Sequence, residues 1–402
     1  METLIRGLRY YKNMIPVYGI MFIFSLHYFL TLFINSSNLE RFWSEGAIGN
    51  LYTYGSVITL VILVLAPKIL KRTKVKHLLY GFLFLETVAL YMLAFMNERY
   101  FVGVGMILLH AASPLIFFAI DIFMEELNKD SKRTGSVRSM LLTAANITVM
   151  LSPLIATWFI SKSPFEKIFN IESSFENVYI LSFILLIPVY WLVIKSSKKL
   201  IEPDIEKIST IHALKVFSFK NSMRRIFEAN LVLKIFYAIM IIYMPIYLHT
   251  YVGFSLSEIG IMFTIMLVPF VIFEIPFGTI ADKWLGEKEI MIFGFILSGL
   301  SVFVMFLYPE KNFFVFSTLL FLSRVGASAI EITTESYFFK KVQGKEIDII
   351  SFFRITNPLS FIIAPLIAIP IIRFSSEPYV LLALSIITVA GVIPALLLKD
   401  TK

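Results

Sequence analysis

The sequence predicts an all-α membrane protein, with twelve transmembrane helices in two six-helix bundles related by a parallel pseudo-repeat. Three observations carry this expectation. The 402 residues are 58% hydrophobic and only 16% charged, whereas a water-soluble domain carries roughly a quarter charged residues. Apolar runs of about 20 residues, enough to cross about 30 Å of hydrocarbon at 1.5 Å per residue, recur along the whole chain. Short motifs also return in the same order at an offset of about 212 residues.

The spans fall, within a few residues, at 14–35, 47–67, 77–97, 101–126, 138–161, 177–196, 227–250, 258–281, 290–308, 313–338, 347–372 and 379–398. Each is continuously apolar, whereas a barrel strand alternates over about ten residues, so helices are predicted. The first run has spanning length and no small-residue cleavage pattern, so it reads as a retained span. An even number of crossings puts both termini on one side. Of the 36 Lys and Arg, roughly 27 fall on that side, 6 on the other and three inside spans. That bias predicts cytoplasmic termini in a bacterial-type plasma membrane.

Between the sixth and seventh spans lies a basic linker, 197–225, with Lys198, Lys199, Lys207, Lys215, Lys220, Arg224 and Arg225. It divides the chain into an N-terminal bundle, 1–196, and a C-terminal bundle, 226–402. Such a stretch rests on anionic lipid; a regulatory or partner-binding role is the alternative. The net charge of +8 invites a nucleic-acid reading, but the basic residues lie in loops beside spans, which is the topology pattern. Without cysteine there is no disulfide, thiolate nucleophile or Cys-based metal site. No H-E-x-x-H, nucleotide-binding P-loop or defensible Ser-His-Asp set occurs, so neither an enzyme nor an ATP-driven pump is expected. No cofactor and no metal are expected.

The repeat is visible in several places. Ser44, Glu45, Ile48 and Gly49 are echoed by Ser257, Glu258, Ile259 and Gly260 before the second span of each half. Ser152, Pro153, Leu154 and Ile155 are echoed by Ala364, Pro365, Leu366 and Ile367 in each fifth span. Six being even, both halves enter the membrane in the same sense, which makes the repeat parallel.

The most informative stretch is a short polar gap in the second half, with Gly278, Asp282, Lys283, Gly286 and Lys288 preceded by Glu274 and Pro276. It resembles the cytoplasmic loop signature of the major facilitator superfamily, G-x-x-x-D-(R/K)-x-G-(R/K)-(R/K). There is one extra residue before the second glycine, and Glu287 interrupts the terminal basic pair. Arg324 and Gly326 resemble the family's Arg-containing fourth-span motif. The first-half loop, with Lys68, Lys71, Arg72 and Lys74, lacks the acid and the glycines. Topology and repeat extend the resemblance over essentially the whole chain. It implies that Asp282 caps and pairs with a neighbouring helix as a gating latch, with Lys283 beside it. Gly278 would allow close helix approach and Gly286 a positive-φ turn. A solvated turn with an ordinary cap is the alternative.

Ionisable groups at mid-membrane depth are costly and are functional candidates. Counting 1.5 Å per residue places His27 deep in the first span, His110 in the fourth, Lys234 in the seventh and Arg324 in the tenth. In the resembled fold these four spans line the central cavity. The resemblance thus implies a lining that favours an anionic substrate or needs balancing acids. Tyr237, Tyr243, Tyr247, Phe117 and Phe118 are further lining candidates for flat or amphipathic compounds. Hydrogen-bonded structural histidines and charge-paired structural cations remain open as alternatives.

Glu331 and Glu335, one turn apart, share a face with Arg324, and Lys234, Glu331 and Arg354 lie at similar depth. An ion-pair network follows, either remade during transport or static. Glu86, central in the third span, and Asp121, in the cytoplasmic half of the fourth, are the first-half proton carriers; the resemblance makes the third span peripheral. Together these features lead to a monomeric secondary active transporter using alternating access, with membrane lipid, a small molecule and the proton as partners. Proton-coupled export of an amphipathic or anionic compound is the expectation. Uptake of a small organic anion, or a transporter-like sensor or scaffold, are the alternatives.

Overall fold

Apolar runs this long can satisfy their backbone only as helices, and helices are what the chain forms. The computed structural model describes residues 2–70, 72–127, 134–169, 174–197, 210–342 and 347–399; within these, the side chains of 2–14, 67, 123–144, 197, 210–211, 282–283 and 347 are not described. The helices run α1 (Glu2–Leu32), α2 (Asn35–Leu39), α3 (Glu45–Leu70), α4 (Val75–Phe95), α5 (Arg99–Leu127), α6 (Thr134–Lys162), α7 (Glu166–Phe169) and α8 (Glu176–Ser197). They continue with α9 (Thr210–Phe219), α10 (Asn221–Ile242), α11 (Met244–Ile246), a π-helical turn (Tyr247–Tyr251), α12 (Leu256–Ile272) and α13 (Glu274–Lys283). The last are α14 (Glu287–Leu307), α15 (Phe313–Lys341), α16 (Ile347–Arg354), α17 (Thr356–Phe374), α18 (Pro378–Ala390) and α19 (Val392–Leu396). Among the described residues, eleven segments are long and apolar enough to cross a membrane. The 29-residue α6 has the length of a further span.

Several spans consist of two helices in line. Breaks at Tyr243, Phe273, Ile355 and Gly391 precede Pro245, Pro276, Pro358 and Pro394 by two or three residues. A proline has no N–H for the carbonyl four residues back and its ring crowds that carbonyl, so the helix gives way there. The carbonyl of Ile241 that Pro245 leaves without its helical donor accepts the Ser36 hydroxyl at 3.5 Å.

Two compact units emerge, 1–32 with 68–206, and 33–67 with 207–402. In the first, α1 packs on α6 and α8, and α4 on α5 and α8. Ile20, Phe24, Leu83, Leu90, Ile116 and Val189 are fully buried there. In the second, α14 packs on α15 and α18, and α10 on α15 and α17. The α14–α15 seam is glycine-lined: a Cβ on Gly294 would lie 2.6 Å from the Gly326 carbonyl oxygen. Across the same seam the Ser298 hydroxyl donates to the Ser323 carbonyl at 2.8 Å. Part of the basic linker is the helix α9, which packs on α16 through Phe217 and Phe352, stacked with centroids 4.9 Å apart. His212 Nδ1 also meets Asp348 Oδ2 at 2.9 Å. The seventh span begins at Asn221, earlier than the hydropathy suggests.

In the signature loop, Gly286 has φ +104°, the left-handed region that disfavours side chains. Glu287, the residue that interrupts the basic pair, opens α14 and is buried. Its Oε1 accepts from Lys340 Nζ, and from the Ser336 hydroxyl at 3.4 Å. An acid in the first turn also suits the helix dipole. Because Lys340 is half exposed and can rehydrate, Glu287→Ala should cost about 1 kcal/mol, read as a small drop in unfolding midpoint of the detergent-purified protein. The side chains of Asp282 and Lys283 lie outside the described residues, as does Lys71.

Candidate functional site

Among the described residues, each unit carries a cluster of buried or half-buried ionisable groups. In the first unit it joins α1, α4 and α5. His27 Nε2 and Glu86 Oε1 are 2.8 Å apart, and both side chains are fully buried. The Ser113 hydroxyl stands 2.7 Å from the same Oε1 and 2.8 Å from the Leu109 carbonyl, with one proton for two acceptors. It can donate to an ionised Glu86, or accept from a protonated one while donating to Leu109, so either protonation state is accommodated. His27 Nδ1 and Glu86 Oε2 have no hydrogen-bond partner.

The third span had been expected at the periphery, yet Glu86 faces inward to His27. His110, on α5, is buried as well, three residues before Ser113. Asp121, nearer the end of α5, is exposed, so the burial expected of a proton carrier is not found there. Phe117 closes the His27 side, meeting Phe24 edge-on with centroids 4.9 Å apart and Tyr28 at 5.2 Å.

In the second unit, α10 and α15 bring together Lys234, Tyr237, Arg324 and Glu331. Lys234 Nζ donates to Glu331 Oε1 at 2.8 Å, and the Tyr237 hydroxyl donates to Glu331 Oε2 at 2.9 Å. Lys234 and Glu331 keep 15% and 28% of their side-chain surface accessible, so this pair borders a space. Arg324 is only 3% exposed. Its guanidinium carbon lies 5.0 Å from the Phe236 ring centre and 5.3 Å from that of Tyr237, within cation–π range. Its Nε and Nη1 nevertheless make no hydrogen bond. Glu274 also acts on Tyr237, so the cluster holds acids besides Glu331, yet two N–H groups of Arg324 are left without an acceptor.

A second ion pair sits one turn along α15. Arg354 grips Glu335 through Nη1–Oε1 at 2.6 Å and Nη2–Oε2 at 3.1 Å, a two-pronged geometry that holds α16 to α15. Arg354 also acts on Glu331, so its direct partner is Glu335 while it stays in the neighbourhood of the Lys234–Glu331 pair. Below these pairs, the Asn230 amide donates to the Thr356 hydroxyl at 2.8 Å. Glu274 opens α13 in the same unit. Gly278 has less steric reason to be glycine than expected: a Cβ there would stand 3.4 Å from Ile332 Cγ1, at the edge of ordinary contact.

Two features escaped sequence reasoning. One is the Gly294–Gly326 contact. The other is a pair of glutamates, Glu45 and Glu377, at one end of the second unit. Glu45 was visible as a repeat marker, and Glu377 carried no signal at all.

A multi-pass helical protein of this architecture, with an ionisable cluster buried in each unit, is by class a membrane transporter. Residues 226–402 match the family model described as Major Facilitator Superfamily. Among solved structures the fold is similar to a POT family transporter in complex with 5-aminolevulinic acid, at TM-score 0.75 and 12% identity, covering 95% of each chain. It is also similar to a mutant of the nucleoside transporter NupG, at TM-score 0.72 and 12% identity over 96% of this chain and 100% of that one. A peptide transporter POT in complex with sulfate aligns at TM-score 0.74 and 11% identity, over 96% and 93%. Compared by sequence with curated proteins, the chain matches none. The family match thus covers the C-terminal part of the chain, and the likeness to the solved structures extends the same fold over nearly all of it. It is an integral membrane protein with many spans.

Proposed function

We propose that this protein is a secondary active transporter that moves a small organic molecule bearing an anionic group by alternating access, coupled to protons. One observation carries the anionic reading: Arg324 is buried with unmet N–H donors beside Lys234 and Tyr237. A carboxylate, phosphate or sulfonate entering there would accept from Arg324. The 5-aminolevulinic acid of one similar structure bears a carboxylate, and the sulfate of another is an anion. His27 and Glu86 are the proton carriers on this reading, with Ser113 following the proton by turning its hydroxyl. The aromatic rings of Phe236 and Tyr237 give the substrate's apolar part a surface.

The remaining assignments extend this reading. The chain works as a monomer of two six-helix halves, 1–196 and 226–402, with both termini cytoplasmic and the basic linker 197–225 resting on anionic lipid. Asp282 in the signature loop latches one end of the cycle. Because such a cycle is reversible, the proton and substrate gradients set the direction of net movement.

The test is proton flux in proteoliposomes holding the purified protein, with anionic, neutral and cationic compound pools added separately. Flux should follow the anionic pool. Glu86→Gln, which mimics a permanently protonated acid, should lower that flux at least tenfold while exchange of substrate across the membrane persists. Flux triggered equally by neutral pools would remove the anionic reading. Unaltered flux in Glu86→Gln would remove the proton role of the His27 pair.

A further inference from the structure

At the end of the second unit where α3 and α18 begin, Glu45 and Glu377 border a small cleft, with Tyr243, Tyr247, Met240 and Leu381. The two carboxyl groups are within hydrogen-bond reach of each other. Three further oxygens in this wall have no partner: the hydroxyls of Tyr243 and Tyr247 and Oε2 of Glu377. Both tyrosines are more than nine-tenths buried, at 5% and 3% exposure. Tyr243 is held over α3, where a Cβ on Gly49 would come within 2.4 Å of its hydroxyl.

The repeat explains why Glu45 is free for this. Its counterpart, Glu258, is spent on a capping box: its Oε2 accepts from the Ser255 N–H at 2.7 Å, and the Glu258 N–H donates to the Ser255 hydroxyl at 3.2 Å. Glu45 is the first residue of α3 and follows Ser44 directly, whereas a capping box needs the acid at the third helical position, so Glu45 is not placed to form one. The Glu45 carboxyl turns to Glu377 instead.

Two carboxylates at this distance repel unless a positive charge lies between them. The other groups acting on the site do not supply it. Glu40 adds a third acid, whose carboxyl is raised above its usual range by burial although the Thr250 hydroxyl donates to it at 2.8 Å. His249 faces Glu40 and commits Nδ1 to the Phe254 carbonyl at 2.8 Å. Tyr52 acts on Tyr243, and Tyr251 stacks on Tyr247. The cations nearest in sequence are engaged elsewhere, Arg41 with Asn38 at 3.1 Å and Arg373 over the Phe374 ring.

We propose that Glu45, Glu377, Tyr243 and Tyr247 form an oxygen-lined site for one monovalent cation, an alkali-metal ion or a proton, which ties α3 to α10 and α18. The site is separate from the Lys234–Arg324 cluster, and the proposal stands whether or not the transported molecule is anionic. Hard oxygen ligands, two of them acidic, suit a small cation. Loading places one positive charge between the two carboxylates, removing their mutual repulsion and drawing α3 in; emptying leaves two or three acids repelling across the gap.

The test is thermal unfolding of the full-length protein in detergent, at mildly alkaline pH and constant ionic strength, in sodium, potassium or choline chloride. A ligand that binds only the folded form raises the midpoint. Sodium or potassium should raise it by a few degrees over choline. Glu45→Gln and Glu377→Gln should abolish the shift, Tyr247→Phe should reduce it, and Glu258→Gln should keep it. A Gln amide can donate to the remaining carboxylate, so these variants are expected to fold; should one fail to accumulate, the others give the same comparison. If no alkali ion acts, infrared spectroscopy at neutral pH should show a protonated carboxyl band that Glu45→Gln removes, making the proton the occupant. No cation effect and no such band would overturn the proposal.

Discussion

Replacing Gly326 by valine is expected to remove the folded protein from the membrane. A Cβ at this position would meet Ser298 Oγ at 2.4 Å, the Gly294 carbonyl oxygen at 2.5 Å and the Ser298 nitrogen at 2.8 Å. Two of those atoms are backbone, so no rotamer change relieves the clash and α14 must move away from α15. Small residues at such seams let the helices approach until van der Waals contact is gained along their length, the main attraction available in lipid. Overpacking costs about 1–3 kcal/mol even where side chains can yield, and a branched residue against backbone belongs at or above the top of that range. Gly326→Ala should give an intermediate result. Gly81→Ala, where a Cβ meets nothing within 4 Å, should change nothing. Membrane yield and monodispersity after extraction measure all three, and normal yield of Gly326→Val would refute the seam.

Glu331→Gln should have the second large effect, on both stability and transport. It leaves Lys234 and Arg324 on facing helices with no carboxylate between them. Breaking a dehydrated pair by removing one partner costs several kcal/mol; with Lys234 and Glu331 partly accessible, on the order of 3 kcal/mol is expected here. Replacing both members, Lys234→Gln with Glu331→Gln, should restore much of the stability, because a neutral pair needs no compensation in a low-dielectric site. Transport should stay lost in the double variant if the cluster binds substrate. If the double variant transports normally, Lys234 and Glu331 are a brace and nothing more. Unfolding midpoints and substrate flux on the same preparations separate the two outcomes.

Much of this was legible in the chain. The spans follow from hydropathy because lipid leaves the backbone no alternative to helix. Gly286 was legible for a local reason, since a turn between two spans at that point needs positive φ. Depth was also legible: counting the helical rise placed Lys234, Arg324, Glu331 and Glu86 inside the membrane, and all four lie in the buried clusters. Face and partner were not. Depth grouped Arg354 with Lys234 and Glu331 but did not say which acid it grips, and the structure gives it Glu335 as its two-pronged partner. Asp121 has the right depth and the wrong face. His27 and Glu86 are 59 residues apart, and nothing local in either span announces the other.

The sequence by itself determined that this is a polytopic helical membrane protein, where its spans fall, and which ionisable groups are carried into the hydrocarbon. These are one-dimensional quantities, summed along the chain against a uniform solvent. Only the tertiary structure decided that His27 meets Glu86, that Arg324 is left with donors to spare, that Gly294 and Gly326 touch, and that Glu45 turns to Glu377. Each of these depends on the rotation and lateral position of one helix against another. Those are set by packing over whole helix surfaces, to which a single residue type contributes too little to be read from sequence.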